Sequence, residues 1–252
     1  VPDDMMCTIN PLGRKRMTTV WVGTSGYNYP EWRGSFYPEK FPTSKMLPYY
    51  AERFRTVEIN YTFYRTPNEK ILAGWNRETP EGFKLTLKAP KRITHDARLK
   101  DCAELLQFFL KTAATLGPKL GALLFQLPPF LRKDVGLLDT FLEGFPSGVC
   151  AAFEFRHRSW WDEDVLARLR AKNLALCVAD SETLSAPVEI TADYGYFRLR
   201  DEGYTPDEIA RWARIIHEKT AACRDVFVYF KHEEAGKGPQ FARLLLDSLA
   251  AL

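Results

Sequence analysis

An α/β fold, a single (β/α)8 barrel of the TIM type with eight parallel strands and surrounding helices, is predicted by three observations. Eight short β-rich runs alternate with longer helical segments along the chain. Strand–helix alternation of this kind requires right-handed crossovers and therefore a parallel sheet. Eight such units over residues 19–252 match the size of a closed barrel. A doubly wound open sheet is the alternative. It loses weight because no G-x-G-x-x-G turn follows the first strand and no G-x-x-x-x-G-K loop occurs.

The elements follow in order. The opening “VPDDMMCTINPLGRKRM” lacks the apolar stretch of a secretory signal, so residues 1–18 read as a disordered leader, with folding from Thr19. The strands are “VWVGTSG”, “TVEINYTFY”, “FKLTLKAP”, “GALLFQLPP”, “AAFEFR”, “LALCVAD”, “YGYFRLR” and “DVFVYFKHE”, most of them rich in the β-branched and aromatic residues that suit a pleated sheet. Helices between them show apolar residues at three- and four-residue spacing, as at Leu105, Phe108, Phe109 and Thr112 to Leu116, or at Val165, Leu166 and Leu169. The best-marked helix begins at “TPDE”, with Thr205 as N-cap, Pro206 at the first helical position and Glu208 completing a capping box. Ile209, Trp212 and Ile216 form its buried stripe. No linker or composition shift divides residues 19–252, which read as one domain.

Composition narrows the function classes. A net charge of +3 permits an anionic partner but falls short of the strongly basic balance of a nucleic-acid wrapper. The five cysteines are odd in number and form no C-x-x-C pair, which argues against a zinc ribbon or disulfide framework and for a reducing cytoplasm. No apolar run is long enough to cross a bilayer, so no membrane partner is expected.

Alternate residues of a barrel strand point outward to the helices and inward to the axis. Sorting by parity sends Val57, Ile59, Leu85, Leu87, Phe125, Phe153, Phe155, Phe197 and Leu199 outward. Glu58, Asn60, Lys88, Gln126, Glu154, Arg156, Tyr196, Arg198 and Arg200 then fall inward near the C-terminal strand ends, where a barrel carries its active site. Asp180 is assigned the same position on the sixth strand. Counting Lys231 after strand eight, the mouth holds five cationic residues against Glu58, Glu154 and Asp180, an excess of two positive charges. Arginines favour a planar bidentate partner such as phosphate or carboxylate. Internal Glu–Arg pairs that lock strand register are the competing structural reading.

Loops add to the same end. After strand one, “GTSGYNYPEWRGSFYP” offers the hydroxyls of Thr24 and Ser25 and aromatic residues such as Tyr27 and Trp32; after strand five, “RHRSWW” offers Trp160 and Trp161. Aromatics beside arginines can stack bases or any flat ligand. Glu58, Glu154 and Asp180 are the candidate catalytic carboxylates, as acid and base or as ligands of a hard divalent ion. A metal is compatible with them but not indicated, and no cofactor is assigned. His217 reads as a surface residue, whereas His95, His157 and His232 follow strands at the mouth end. There is no G-x-S-x-G elbow to support a serine nucleophile.

In the same order, “VGTSGYNYPEWRGSFYP”, “VEINYTFYRTP”, “FKLTLKAPKRITHDARL”, “LLFQLPP”, “FEFRHRSW” and “YFRLRDEGYTPDEIARWA” closely resemble the motifs of the YecE-like family, domain of unknown function 72. The resemblance implies a TIM-type barrel and says little about a reaction. It marks Gly23, Thr24, Ser25, Gly26, Trp32, Glu58, Asn60, Thr62, Phe63, Tyr64, Lys88, Gln126, Pro128, Glu154, Arg156, Trp160 and Arg198. Two places depart from the pattern: Arg200-Asp201 replaces a His-Gly, and Lys231-His232 replaces an Asn-Asn. Both changes add positive charge at the mouth. The expected function is an enzyme acting there on an anionic small molecule or phosphodiester, with phosphoester hydrolysis as one such reaction. The alternative is a non-catalytic barrel that binds nucleic acid or an anionic metabolite.

Overall fold

The computed structural model describes residues 18–252, so all but the last residue of the expected leader lies outside the described residues. Eight strands form one parallel sheet: β1 (Thr19–Thr24), β2 (Thr56–Ile59), β3 (Lys84–Lys88), β4 (Leu120–Gln126), β5 (Ala151–Glu154), β6 (Ala175–Asp180), β7 (Tyr194–Leu199) and β8 (Asp225–Phe230). Their order, β1-β8-β7-β6-β5-β4-β3-β2, is that of a barrel. The β1–β2 seam closes through a bridge between Ser25 and Glu58 and a 2.7 Å bond from the Gly26 N–H to the Glu58 carbonyl. Backbones crowd there: a Cβ on Gly23 would lie 2.2 Å from the Thr56 carbonyl oxygen, so only glycine fits.

Helices α1 (Met46–Ala51), α2 (Tyr61–Tyr64), α3 (Glu69–Glu78), α4 (Ala103–Ala114), α5 (Val135–Glu143), α6 (Glu163–Ala171), α7 (Pro206–Lys219) and α8 (Lys237–Ala250) surround the sheet. The capping box at Thr205 and Glu208 is formed, and Ile209, Trp212 and Ile216 are buried on α7. On α4 the stripe is rotated from expectation: Leu106, Phe109 and Leu110 are buried while Phe108 is 55% exposed. The β6–β7 crossover carries no helix. Its loop is stitched to β6 instead, with the Thr191 hydroxyl accepting from the Leu176 N–H and donating to the Leu174 carbonyl, both at 2.7 Å.

Strand parity separates two cores. Outward residues, among them Val57, Leu85, Phe125, Phe153 and Phe197, pack under the helices. Inside, Trp21, Ala122, Leu124, Cys177, Tyr196, Phe227 and Tyr229 fill the barrel. Polar atoms in this filling are paired, as burial demands. The Tyr229 hydroxyl lies 2.7 Å from Thr56 Oγ1 and 2.8 Å from Thr86 Oγ1, and the Tyr194 hydroxyl bonds both the N–H and the carbonyl of Ala151. Above this floor the lining turns charged.

Candidate functional site at the barrel mouth

The centre of the mouth is a buried ion-pair chain from three strands. Arg198 on β7 donates from Nε and Nη2 to Glu58 Oε1 on β2, at 3.2 and 2.9 Å, and from Nη1 to Glu154 Oε2 on β5 at 2.6 Å. Glu58 also accepts from the Ser25 and Tyr196 hydroxyls, and Glu154 accepts from Arg156 Nε. Glu58, Glu154 and Arg198 have no exposed surface. Burial pushes the Glu154 carboxyl up, but Arg198, Arg156 and Lys88 override it and hold its pKa at about 2. Both carboxylates are therefore held by fixed donors.

Around this centre lie groups with less to bind. Lys88 on β3 is 8% exposed; its Nζ donates to Gln126 Oε1 at 2.8 Å and sits 4.2 Å from the Phe63 ring centroid. No carboxylate lies within salt-bridge distance of it among the described residues. Burial, then Arg198 and, more weakly, Arg156, lower its pKa to about 7 against the pull of Glu154 and Glu58. Among the described residues Arg156 makes one side-chain bond, through Nε, and Arg200 makes none; Arg200 Nε is buried without a partner there. Burial, followed by repulsion from Arg156, pulls the Arg200 guanidinium below its usual pKa.

Other expected residues lie elsewhere. Asp180 takes outward parity because Ala175, Cys177 and Ala179 occupy the inward positions of β6; it accepts from Ser185 Oγ at 2.6 Å and the Tyr204 hydroxyl at 2.8 Å. Thr24 also faces out, bonded to the Tyr50 hydroxyl. Trp32 and Trp160 are fully buried, the latter stacked on Phe155 with its indole N–H on the Leu131 carbonyl, so neither offers a face to a ligand. Tyr64 is 73% exposed, and Lys231 pairs with Glu233 at 2.8 Å. Strand β2 stops at Ile59, and Asn60 begins the α2 turn, donating to Ser25 Oγ at 2.8 Å with Oδ1 buried and unpaired. With Tyr27, Tyr29, Tyr61 and Trp75 it lines a side cavity of about 280 Å³.

With Lys231 paired and Asp180 turned away, Arg156, Arg198 and Arg200 exceed Glu58 and Glu154 by one charge before Lys88 is counted. Among the described residues, no group of three or more His, Cys, Asp or Glu side chains is placed to hold a metal ion. His157 accepts from the Ser159 N–H as a local cap, His232 Nε2 lies 2.7 Å from the Asp201 carbonyl, His217 is exposed, and His95 meets Phe63 edge-on. Burial, then Lys88, lowers the His95 pKa. Two residues outside the expected catalytic and binding set complete the site: Tyr196, which parity places inward with Arg198, and Phe63, which the resemblance marks.

A nearly closed barrel of eight parallel strands, with charged side chains from β2, β3, β5 and β7 converging at its C-terminal end, defines a TIM-type barrel protein. The model of the family described as “Protein of unknown function DUF72” matches residues 21–252, and the chain belongs to that family. It is 28% identical to UPF0759 protein YecE of Escherichia coli K12 over 66% of this chain, a match spanning only 61% of that protein's length. It is 26% identical to UPF0759 protein YunF of Bacillus subtilis, over 91% of this chain and 94% of that one. A DUF72 family protein of Thermotoga maritima superposes with a TM-score of 0.81 at 27% identity, covering 92% of this chain and 99% of the other. One from Enterococcus faecalis, at 19% identity, matches in fold with a TM-score of 0.77, over 92% and 96% of the two chains. No helix among the described residues is long and apolar enough to cross a membrane.

Proposed function

We propose that the mouth binds a compact anionic small molecule, through a phosphate or carboxylate, and acts on it as an enzyme. The observation that supports this is the surplus of unmet donors: among the described residues the terminal nitrogens of Arg156 and the Arg200 guanidinium have no protein acceptor, Arg200 Nε is buried as well, and Arg156 repels Arg200. An anion between them would supply charge-assisted bonds to both. The cavity of about 330 Å³ beside Arg200 is lined by Glu182, Glu202, Glu233 and Glu234 together with Lys231, His232 and Lys237, a mixed lining that favours a small anion over an extended polyanion such as nucleic acid.

In this reading Glu58 and Glu154 position the arginines, and proton transfer falls to Lys88, the mouth group that titrates near neutrality. Phosphoester hydrolysis is one reaction open to such a base. The free thiols of Cys102, Cys150, Cys177 and Cys223 fit a reducing cytoplasm as its setting. Titration calorimetry with inorganic phosphate and with phosphorylated and carboxylated metabolites tests the reading. Binding that weakens at least tenfold in the Arg156→Gln, Arg200→Gln double variant supports it. Equal binding in both proteins overturns it, and tight, steeply salt-dependent binding of a single-stranded oligonucleotide would favour the nucleic-acid alternative.

A further inference from the structure

Lys88 has an unusual set of neighbours for a buried ammonium. Its one hydrogen-bond acceptor among the described residues is the neutral amide oxygen of Gln126, and the face of Phe63 covers it at 4.2 Å. The charged groups acting on it are Glu58, Glu154, Arg156 and Arg198, with His95 on the Phe63 side. The carboxylates among these are committed to arginine, so none forms a direct pair with Nζ. A lysine that is dehydrated and faced by guanidiniums keeps a substantial fraction of free amine at neutral pH, and a free amine in a dry site is a nucleophile toward carbonyl carbon. The Phe63 face pulls back toward the ammonium, which leaves the group poised between the two forms.

We propose that Lys88 forms an imine with the carbonyl of an anionic substrate, an oxo acid or a phosphorylated ketone or aldehyde, whose charged end lies on Arg156 and Arg200. This rests on the anion-binding reading and names the substrate class for the same mouth. The Nζ lone pair attacks the carbonyl carbon to give a carbinolamine. Both protons of the neutral amine leave with the former carbonyl oxygen as water, and a C=N bond replaces C=O. Nothing is oxidised or reduced. The resulting imine, once protonated, draws electrons from the adjacent carbon and opens proton abstraction or carbon–carbon cleavage there.

The test incubates the full chain with pyruvate, glyoxylate or dihydroxyacetone phosphate, adds sodium borohydride and locates the reduced adduct by intact mass and peptide mapping. The expected result is one adduct per chain at Lys88, absent from Lys88→Met and from Lys88→Arg, with a trapping rate that rises with pH about a midpoint near 7. Circular dichroism of both variants verifies that they are folded. In Arg156→Gln, Arg200→Gln the yield should fall at least tenfold. Adducts spread over surface lysines, or trapping undiminished in Lys88→Met, overturn the proposal. Phosphate binding measured on the same samples separates the two readings. Phosphate bound with no adduct on Lys88 refutes the imine alone. An adduct on Lys88 that is indifferent to both arginine substitutions, with no phosphate bound, upholds the imine and refutes the anion site.

Discussion

The paired centre of the mouth and its unpaired rim are a few side chains apart and obey different physics. At the centre, Arg198 is gripped by two carboxylates, and the Ser25 and Tyr196 hydroxyls also donate to Glu58, one to each oxygen. At the rim, among the described residues, Lys88 has one neutral partner and Arg200 has none. Buried charge that is fully paired builds a rigid, specified structure; buried charge that is left short is held in place by that structure and kept for a ligand. The charged residues at the middle of a barrel are thus the scaffold of the site, and the chemistry lies beside them.

Removing the shared guanidinium should break the centre outright. Arg198→Met leaves buried Glu58 with hydroxyl donors but no cation, and Glu154 with Arg156 alone, and should lower unfolding free energy by about 3–5 kcal/mol, read as a fall in urea midpoint. Acid sharpens the contrast next. Glu154 has a folded pKa of about 2 against an ordinary 4.5, so its contribution, on the order of 3 kcal/mol at most, is complete above pH 4.5 and lost as pH falls toward 2. Glu154→Gln should flatten the stability curve over that window.

At the rim the sign reverses. Lys88 is lowered from 10.5 to about 7, so between those values the unfolded chain binds more protons, and stability rises with pH. Lys88→Met should therefore stabilise the protein at pH 7 by roughly 1–3 kcal/mol, with the gain vanishing above pH 10.5. Chemical denaturation at both pH values would detect it, and a loss of stability at pH 7 would place Lys88 with the centre. Smallest of all should be Arg200→Gln, within about 0.5 kcal/mol of the parent by the same measurement, because no protein bond is broken.

Much of this division was legible in the sequence, for definite reasons. Period-two alternation sorted Val57 from Glu58 and Phe153 from Glu154 because the outward residues are large and apolar. It failed on β6, whose inward face is Ala175, Cys177 and Ala179. Small residues there leave no size contrast, and Asp180 was given the wrong side. Asn60 was read as strand because “TVEINYTFY” is β-rich throughout, whereas the chain turns helical at Tyr61. Trp160 looks like a ligand platform until its stack on Phe155 is seen. Which carboxylate meets which arginine depends on contacts between residues up to 140 positions apart, and one sequence carries no record of them.

The seam between β1 and β2 ties these properties to the barrel's own closure. Its bridging residues, Ser25 and Glu58, are also members of the charged centre, and Gly23 is the point where the two backbones nearly touch. A barrel zipped by a ladder could lose one wall bond and keep its pocket. Here the zip and the pocket share a clasp, so any fluctuation that parts the staves at Gly23 dismantles the electrostatic order of the mouth in the same event. In native-state hydrogen exchange, the Gly26 amide would act as the reporter of a site that exists only while the barrel is shut.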